Sequence, residues 1–340
     1  MTPDEPSPYD AAFREVAERT AAGDLDAARL LLDDLARRID PDDEPVDHAR
    51  TLRLGAGLAR LAGDPVEARH QAIKARRLAE AAGDTGLALA ALVELAEDRL
   101  ANGEHLAAAA DFRLAAAEVD VGAENAEPPD RETLEARSGL LVKEAEALAA
   151  AGRFVPAVDV LQQAADRAAE AEDARLAAEL LVQAVAIAQQ GGRHTHVDRV
   201  DARARTAADA ADHHGARAEL DVLAAARALD AGDPSRALDL AGSARAGALA
   251  AVQPLTYAGA VLTESGIRDR LGDRVGAYRD LARGWATVGD LLGAEVARAT
   301  FEPPLLELRR RWGTEAFDAA KADYEAARRE ELAAGPDDPA

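Results

Sequence analysis

Stretches in which Ala, Leu and Val alternate with Glu, Asp and Arg fill this chain, and a glycine interrupts them at a near-constant interval. The glycines are Gly23, Gly63, Gly103, Gly152, Gly192, Gly232, Gly272 and Gly313, with successive gaps of 40, 40, 49, 40, 40, 40 and 41 residues. Each stands between two stretches with helix-forming composition, and Asp24, Asp64, Asp233 or Asp273 follows several of them. That order predicts a left-handed residue closing one helix and an aspartate capping the next. The repeating unit is therefore a helical hairpin, and a fixed period of this length predicts a repeat solenoid. One hairpin cannot bury its own apolar face, so stacked copies must share an elongated core.

Alignment on the turn glycine reveals shared packing positions. Five residues after it stand Ala28, Ala68, Ala108, Ala157, Val197, Ala237 and Ala277. Twelve after it stand Ala75, Ala115, Ala164, Ala204, Ala244 and Gly284. On the preceding helix, seven before the glycine, come Ala56, Ala96, Ala145, Val185, Ala225 and Ser265. Eleven before it come Leu52, Leu92, Leu141, Leu181 and Val261, with Asp221 as the exception. Small side chains let helix axes approach, and the large ones fill the space between hairpins.

The pattern of a large residue, then a small one, a turn glycine and two small residues on the second helix resembles the tetratricopeptide repeat family over about residues 9–332. The 40-residue spacing looks like its longer-helix variants found in bacterial regulators and signalling adaptors. It departs from the usual 34-residue period, lacks most consensus aromatics and has no regular proline at the repeat end. Armadillo and HEAT repeats have similar lengths but lack a Gly-Asp turn with an alanine five residues after the glycine. The resemblance implies an all-α, right-handed superhelical solenoid of about eight antiparallel helical hairpins, at roughly 9–39, 47–82, 85–120, 131–171, 174–211, 216–250, 255–288 and 291–332. Residues 1–8 and 333–340 are expected to be disordered tails.

The resemblance also implies that the first helix of each hairpin lines a concave groove. Its exposed positions then include Arg53, Val93, Val142, Val182, Val222 and Leu262, an aliphatic stripe that begins at an arginine. Arg50 and Arg60 flank one end, and Glu97 and Glu146 stand beyond it, which predicts a groove basic at one end and acidic further on. Two readings of the stripe stand: it receives a peptide or amphipathic helix, or it packs the first helices against their neighbours. The insertion at 121–130, with the Pro128-Pro129 pair, either bulges outward or reaches over the groove. Seven of the aromatic residues, including Trp312, Phe317 and Tyr324, lie after residue 256. They fit a terminal cap over the last apolar face, and Trp312 also suits a partner-binding hot spot.

Charge and chemistry narrow the function. The 340 residues carry a net charge of −23, which opposes binding to nucleic acid. No segment reads as a signal peptide or membrane span, and no Cys is present, so cytoplasm is the expected location. Scarce lysine beside abundant Ala, Arg, Gly and Pro hints at a GC-rich bacterial genome or a salt-adapted proteome. His194 and His196 at one turn, and His213 and His214 at the next, sit at opposite ends of a helix on the order of 20 Å long and cannot share one metal ion. Walker, G-x-S-x-G, H-E-x-x-H and dinucleotide motifs are missing. The expectation is a non-enzymatic adaptor for a peptide or helix of another protein, with no cofactor, metal, nucleic acid or membrane. Two alternatives are a regulatory sensor of a small peptide or metabolite, and an enzyme or enzyme subunit with a pocket inside the superhelix.

Overall fold

A computed structural model describes residues 7–123, 131–192 and 194–334, and the described residues form helices joined by short turns. The chain divides into two compact units. Unit 1, Met1–Ala171, contains α1 (Asp10–Ala21), α2 (Leu25–Arg38), α3 (Pro45–Leu61), α4 (Pro65–Ala82), α5 (Thr85–Ala101), α6 (His105–Ala123), α7 (Arg131–Ala150) and α8 (Phe154–Glu170). Unit 2, Glu172–Ala340, contains α9 (Ala174–Gln190), α10 (His194–Ala210), α11 (His214–Asp230), α12 (Pro234–Ala250), α13 (Pro254–Arg270), α14 (Arg274–Leu292), α15 (Ala294–Trp312) and α16 (Thr314–Ala334). Consecutive helices pack on each other within each unit. The odd-numbered helices also touch across hairpins, α1 on α3 and α3 on α5 in unit 1, α9 on α11 and α11 on α13 in unit 2. This is an all-α helical-repeat solenoid.

The turns explain the regularity. After α3, Gly63 takes φ +80°, its N–H bonds to the Arg60 carbonyl and the Asp64 N–H reaches the Ala59 carbonyl. Asp64 then turns its own carboxylate forward to accept from the Glu67 N–H. The aspartate thus closes one helix through its backbone and opens the next through its side chain, leaving no room for a longer loop. Asp24, Asp84, Asp173, Asp233 and Asp273 cap their helices in the same way.

The left-handed residue recurs twice as often as the glycine spacing implies. From Gly152 it appears at Glu172, Gly192, Asp212, Gly232, Val252 and Gly272, every 20 residues, so turns within and between hairpins share one geometry. Between hairpins it is supplied by Glu172 (φ 61°), Asp212 (φ 47°) and Val252 (φ 54°), none of which punctuates a sequence as glycine does.

The aligned small positions lie in the core. Ala28, Ala68, Ala108, Ala157, Val197, Ala237 and Ala277 are buried, as are Ala75, Ala115, Ala164, Ala204, Ala244 and Gly284. Gly284 has no space for a side chain, because a Cβ there would lie 2.7 Å from Val261 and 2.9 Å from Phe301. Large residues such as Phe112, Leu92, Leu161 and Phe301 close the gaps and are also buried. Each contributes roughly 1.5–3 kcal/mol by leaving water. At the end of unit 2, Tyr278 meets Phe317 edge-on at 5.5 Å and Tyr324 at 5.8 Å, so α16 covers the last apolar face of α14. Of the predicted insertion at 121–130, residues 121–123 complete α6, and residues 124–130 lie outside the described residues, as do residues 1–6 and 335–340. No helix among the described residues is long and apolar enough to cross a membrane.

Candidate functional site

In unit 1 the first helices α1, α3, α5 and α7 are tied edge to edge by charges about one repeat apart. Arg50 on α3 reaches Asp10 on α1 at 2.8 Å and Asp47 at 3.6 Å. Arg53 meets Glu94 on α5 at 2.7 Å, and Arg60 meets Glu97 at 3.9 Å. Glu97 also accepts from Lys143 on α7 at 2.9 Å, and the same ammonium lies over the Phe112 ring. All three arginines expected to make a basic end thus face carboxylates. The predicted separation of charge along the groove becomes local compensation.

Between α1 and α3 these charges frame an open groove of about 420 Å³ lined by Asp10, Phe13, Arg14, Ala17, Arg50, Arg53 and Leu54. Its inner edge is desolvated: the Arg53 Nε and Glu94 Oε2 are buried with no hydrogen-bond partner among the described residues. Burial pushes the Glu94 carboxyl above its ordinary value, and Arg53 opposes this. Val93 and Val142 are half-buried on α5 and α7, and Glu146 is exposed.

The remaining stripe residues belong to unit 2. Val182 on α9 is only 5% exposed and lies in the core, because its face of the helix turns inward. Val222 is half-buried on α11. Leu262 is half-buried on α13 and packs against the terminal cluster with Trp285, Trp312 and Phe317. Trp312 donates its indole N–H to Asp269 at 2.5 Å, and the Arg274 guanidinium lies 5.8 Å from its ring centre. Arg311 pairs with the same Asp269 carboxylate. Trp312 therefore anchors α15 to α13 while part of its ring stays exposed.

The second helices form clefts that sequence reasoning did not anticipate. In unit 2 a cavity of about 910 Å³ opens between α10 and α12 over α11, lined by Val197, Asp201, Arg205, Ala228, Arg236 and Leu240 among others. On its wall, Asp201 accepts from Arg205 and Arg227, each at 2.9 Å, and Arg205 also reaches Asp221 at 2.7 Å. One hairpin later, a smaller cleft between α12 and α14 over α13 is lined by Arg245, Arg268, Arg279 and Arg283 together with Glu264, Asp280, Tyr257 and Val261. Unit 1 has an equivalent cleft of about 220 Å³ between α2 and α4 over α3. The signal available in the sequence was Arg205 and Arg245, 40 residues apart.

His213 is buried at the start of α11, where Nδ1 accepts from the Ala216 N–H and Nε2 lies 3.0 Å from Glu179. This arrangement requires the proton on Nε2. Burial raises the pKa of nearby Glu219; His213 opposes the shift and Glu179 adds to it. His214 is exposed, and the His194 side chain lies outside the described residues. Among the described residues no group of three or more His, Asp or Glu side chains could hold a metal ion.

No protein-family model matches the chain, and no curated protein matches it. Solved structures do match at low identity. The apo form of RapI is 11% identical over 87% of this chain and 100% of that one, with a TM-score of 0.48. BtubC from P. vanneervenii is 17% identical over 72% and 91%, with a TM-score of 0.47. A Rap protein complexed with competence and sporulation factor is 15% identical over 95% and 98%, with a TM-score of 0.44.

Proposed function

We propose that the protein is a non-enzymatic cytoplasmic adaptor whose first-helix surface in unit 1 receives a peptide or amphipathic helix from another protein. The groove between α1 and α3 carries this reading. Phe13, Ala17 and Leu54 offer an apolar floor, while Asp10, Arg14, Arg50 and Arg53 frame it with both signs of charge. Such a site rewards a ligand with an apolar face and fixes its direction by charge. The half-buried Val93 and Val142 extend the apolar surface onto α5 and α7. The strongly negative chain disfavours nucleic acid as the partner.

The test is affinity capture from source lysate with wild type, with Leu54→Asp in the groove between α1 and α3, and with Val93→Asp/Val142→Asp beside it, all checked for helicity. A protein retained by the wild type and lost from Leu54→Asp supports the adaptor reading, and identical retention by all the folded chains removes the groove. Val182→Asp is unsuitable because it buries a charge in the core of unit 2.

A second reading, a sensor of a small peptide or metabolite, is favoured by the cavity of about 910 Å³ in unit 2, a size suited to such ligands. Blocking it with Ala228→Trp would abolish ligand-induced stabilisation if that reading holds, and unchanged stabilisation would remove it.

A further inference from the structure

Three residues of unit 2 break the apolar register of the repeat. Nine positions after the turn glycine, Leu32, Ala72, Phe112, Leu161, Ala241 and Leu281 are buried, but Asp201 takes that place in α10. Five before the glycine, Leu58, Ala147, Ile187, Ile267 and Leu308 are buried, whereas Arg227 stands there in α11; Glu18 and Asp98 are the other departures. Eleven before it, where Leu52, Leu92, Leu141, Leu181 and Val261 stand, α11 carries Asp221. The side chains of Asp201, Asp221 and Arg227 are only 14%, 14% and 20% exposed.

With Arg205 these residues form a charge-balanced network. Arg205 bridges Asp201 and Asp221, Arg227 spans Asp201 and Gln189, and the Ser243 hydroxyl donates to Asp221 at 2.9 Å. Ion pairs withdrawn from water hold a core together no better than apolar residues of similar size. Stability therefore does not account for three charges at apolar positions of one repeat. Asp201, Arg205 and Arg227 instead give a polar floor to the cavity of about 910 Å³ between α10 and α12.

Because the floor satisfies its own charges, the groups open to a ligand are those at the rim. Asp198 on α10, Asp230 at the end of α11 and Arg236 in the first turn of α12 line the same cavity and are exposed. None of the three forms an ion pair among the described residues, although they carry opposite charges around one opening. Val197, Ala228 and Leu240 add an apolar wall.

We propose that this cavity binds a basic amino acid, with its α-carboxylate on Arg236, its two cationic groups on Asp198 and Asp230, and its aliphatic stem on the apolar wall. The proposal rests on the sensor reading and names its ligand class. One guanidinium and two carboxylates call for one negative and two positive groups, the set that a basic amino acid carries near neutral pH. The cavity volume falls within the ~300–1,000 Å³ of small-molecule sites.

The test is calorimetric titration of the full chain with L-lysine, with cadaverine, which lacks the carboxylate, and with L-norleucine, which lacks the side-chain ammonium. Saturable lysine binding, at least tenfold tighter than that of either analogue, is expected. Arg236→Gln should weaken lysine binding at least tenfold and leave cadaverine unaffected, while Asp198→Asn/Asp230→Asn should weaken both. All three positions are exposed, so these variants keep the fold. Equal affinity for lysine and norleucine, or unchanged lysine binding in folded Arg236→Gln, would overturn the proposal. If lysine does not bind, but a metabolite fraction of the source cells stabilises wild type and not Ala228→Trp, the ligand class falls and the sensor reading stands. If that fraction stabilises neither chain, both fall.

Discussion

Single residues set the turns, and one of them is held at a cost. Val252 occupies the left-handed region although its β-branched side chain makes that conformation unfavourable by roughly 1–3 kcal/mol. The side chain is 71% exposed, so little packing depends on it. Glycine relieves the strain but loses about 0.5–1 kcal/mol through unfolded-state entropy. Val252→Gly should therefore stabilise the protein by about 1 kcal/mol in denaturant titration, and Gly232→Ala should destabilise it by a similar amount. Glu219 supplies a pH test. Its folded pKa is raised above 4.5, mainly by burial, so its contribution to stability is fully present below 4.5 and is lost as pH rises through the folded value. Glu219→Gln mimics the protonated form and should flatten that decline. Stability curves of variant and wild type that run parallel from pH 4 to 7.5 would contradict this. The same scale explains what the sequence revealed. A glycine at Gly63 or Gly232 marks a left-handed turn because few other residues adopt it cheaply, whereas Glu172, Asp212 and Val252 make the same turn without advertising it.

At the scale of helices, α15 bears the clearest internal weakness. Pro303 and Pro304 lie inside it and cannot donate to the carbonyls of Ala299 and Thr300. Pro303 is exposed, so Pro303→Ala restores a donor without disturbing the core and should add about 2 kcal/mol, after allowing for the freer unfolded chain. An unchanged unfolding midpoint would show that the helix already accommodates the break. The candidate surface was less legible than the helices carrying it. Val142 and Val182 occupy the same place relative to their glycines, yet one is half-buried and the other lies in the core. A modest rotation of a helix decides between these outcomes, and residue spacing does not encode it. The charge pairs were legible in principle: Asp10 and Arg50, or Arg53 and Glu94, are opposite charges about one period apart. Their pairing follows once first helices are placed side by side.

For the whole molecule, charge opposes compactness. With 63 acidic and 40 basic residues, self-repulsion is spread over the chain, while many ion pairs are exposed and worth at most about 1 kcal/mol each. Added salt screens both effects, but the repulsion involves more pairs of charges over longer distances. Raising NaCl from about 10 to 200 mM should raise the unfolding temperature by about 2–4 °C, the shift expected for 1 kcal/mol in a domain of 150–250 residues. A fall would show that the ion-pair ladder between first helices dominates.

The 40-residue hairpin also has a mechanical meaning. Because a repeat is held chiefly by its neighbours, a chain pulled from its ends should surrender hairpins one after another. At ~3.3–3.6 Å per extended residue, each released period adds roughly 130–145 Å of contour length. The 49-residue interval from Gly103 to Gly152 would add roughly 30 Å more. That longer step would serve as a built-in fiducial mark, showing in a force trace how far the unravelling front has travelled.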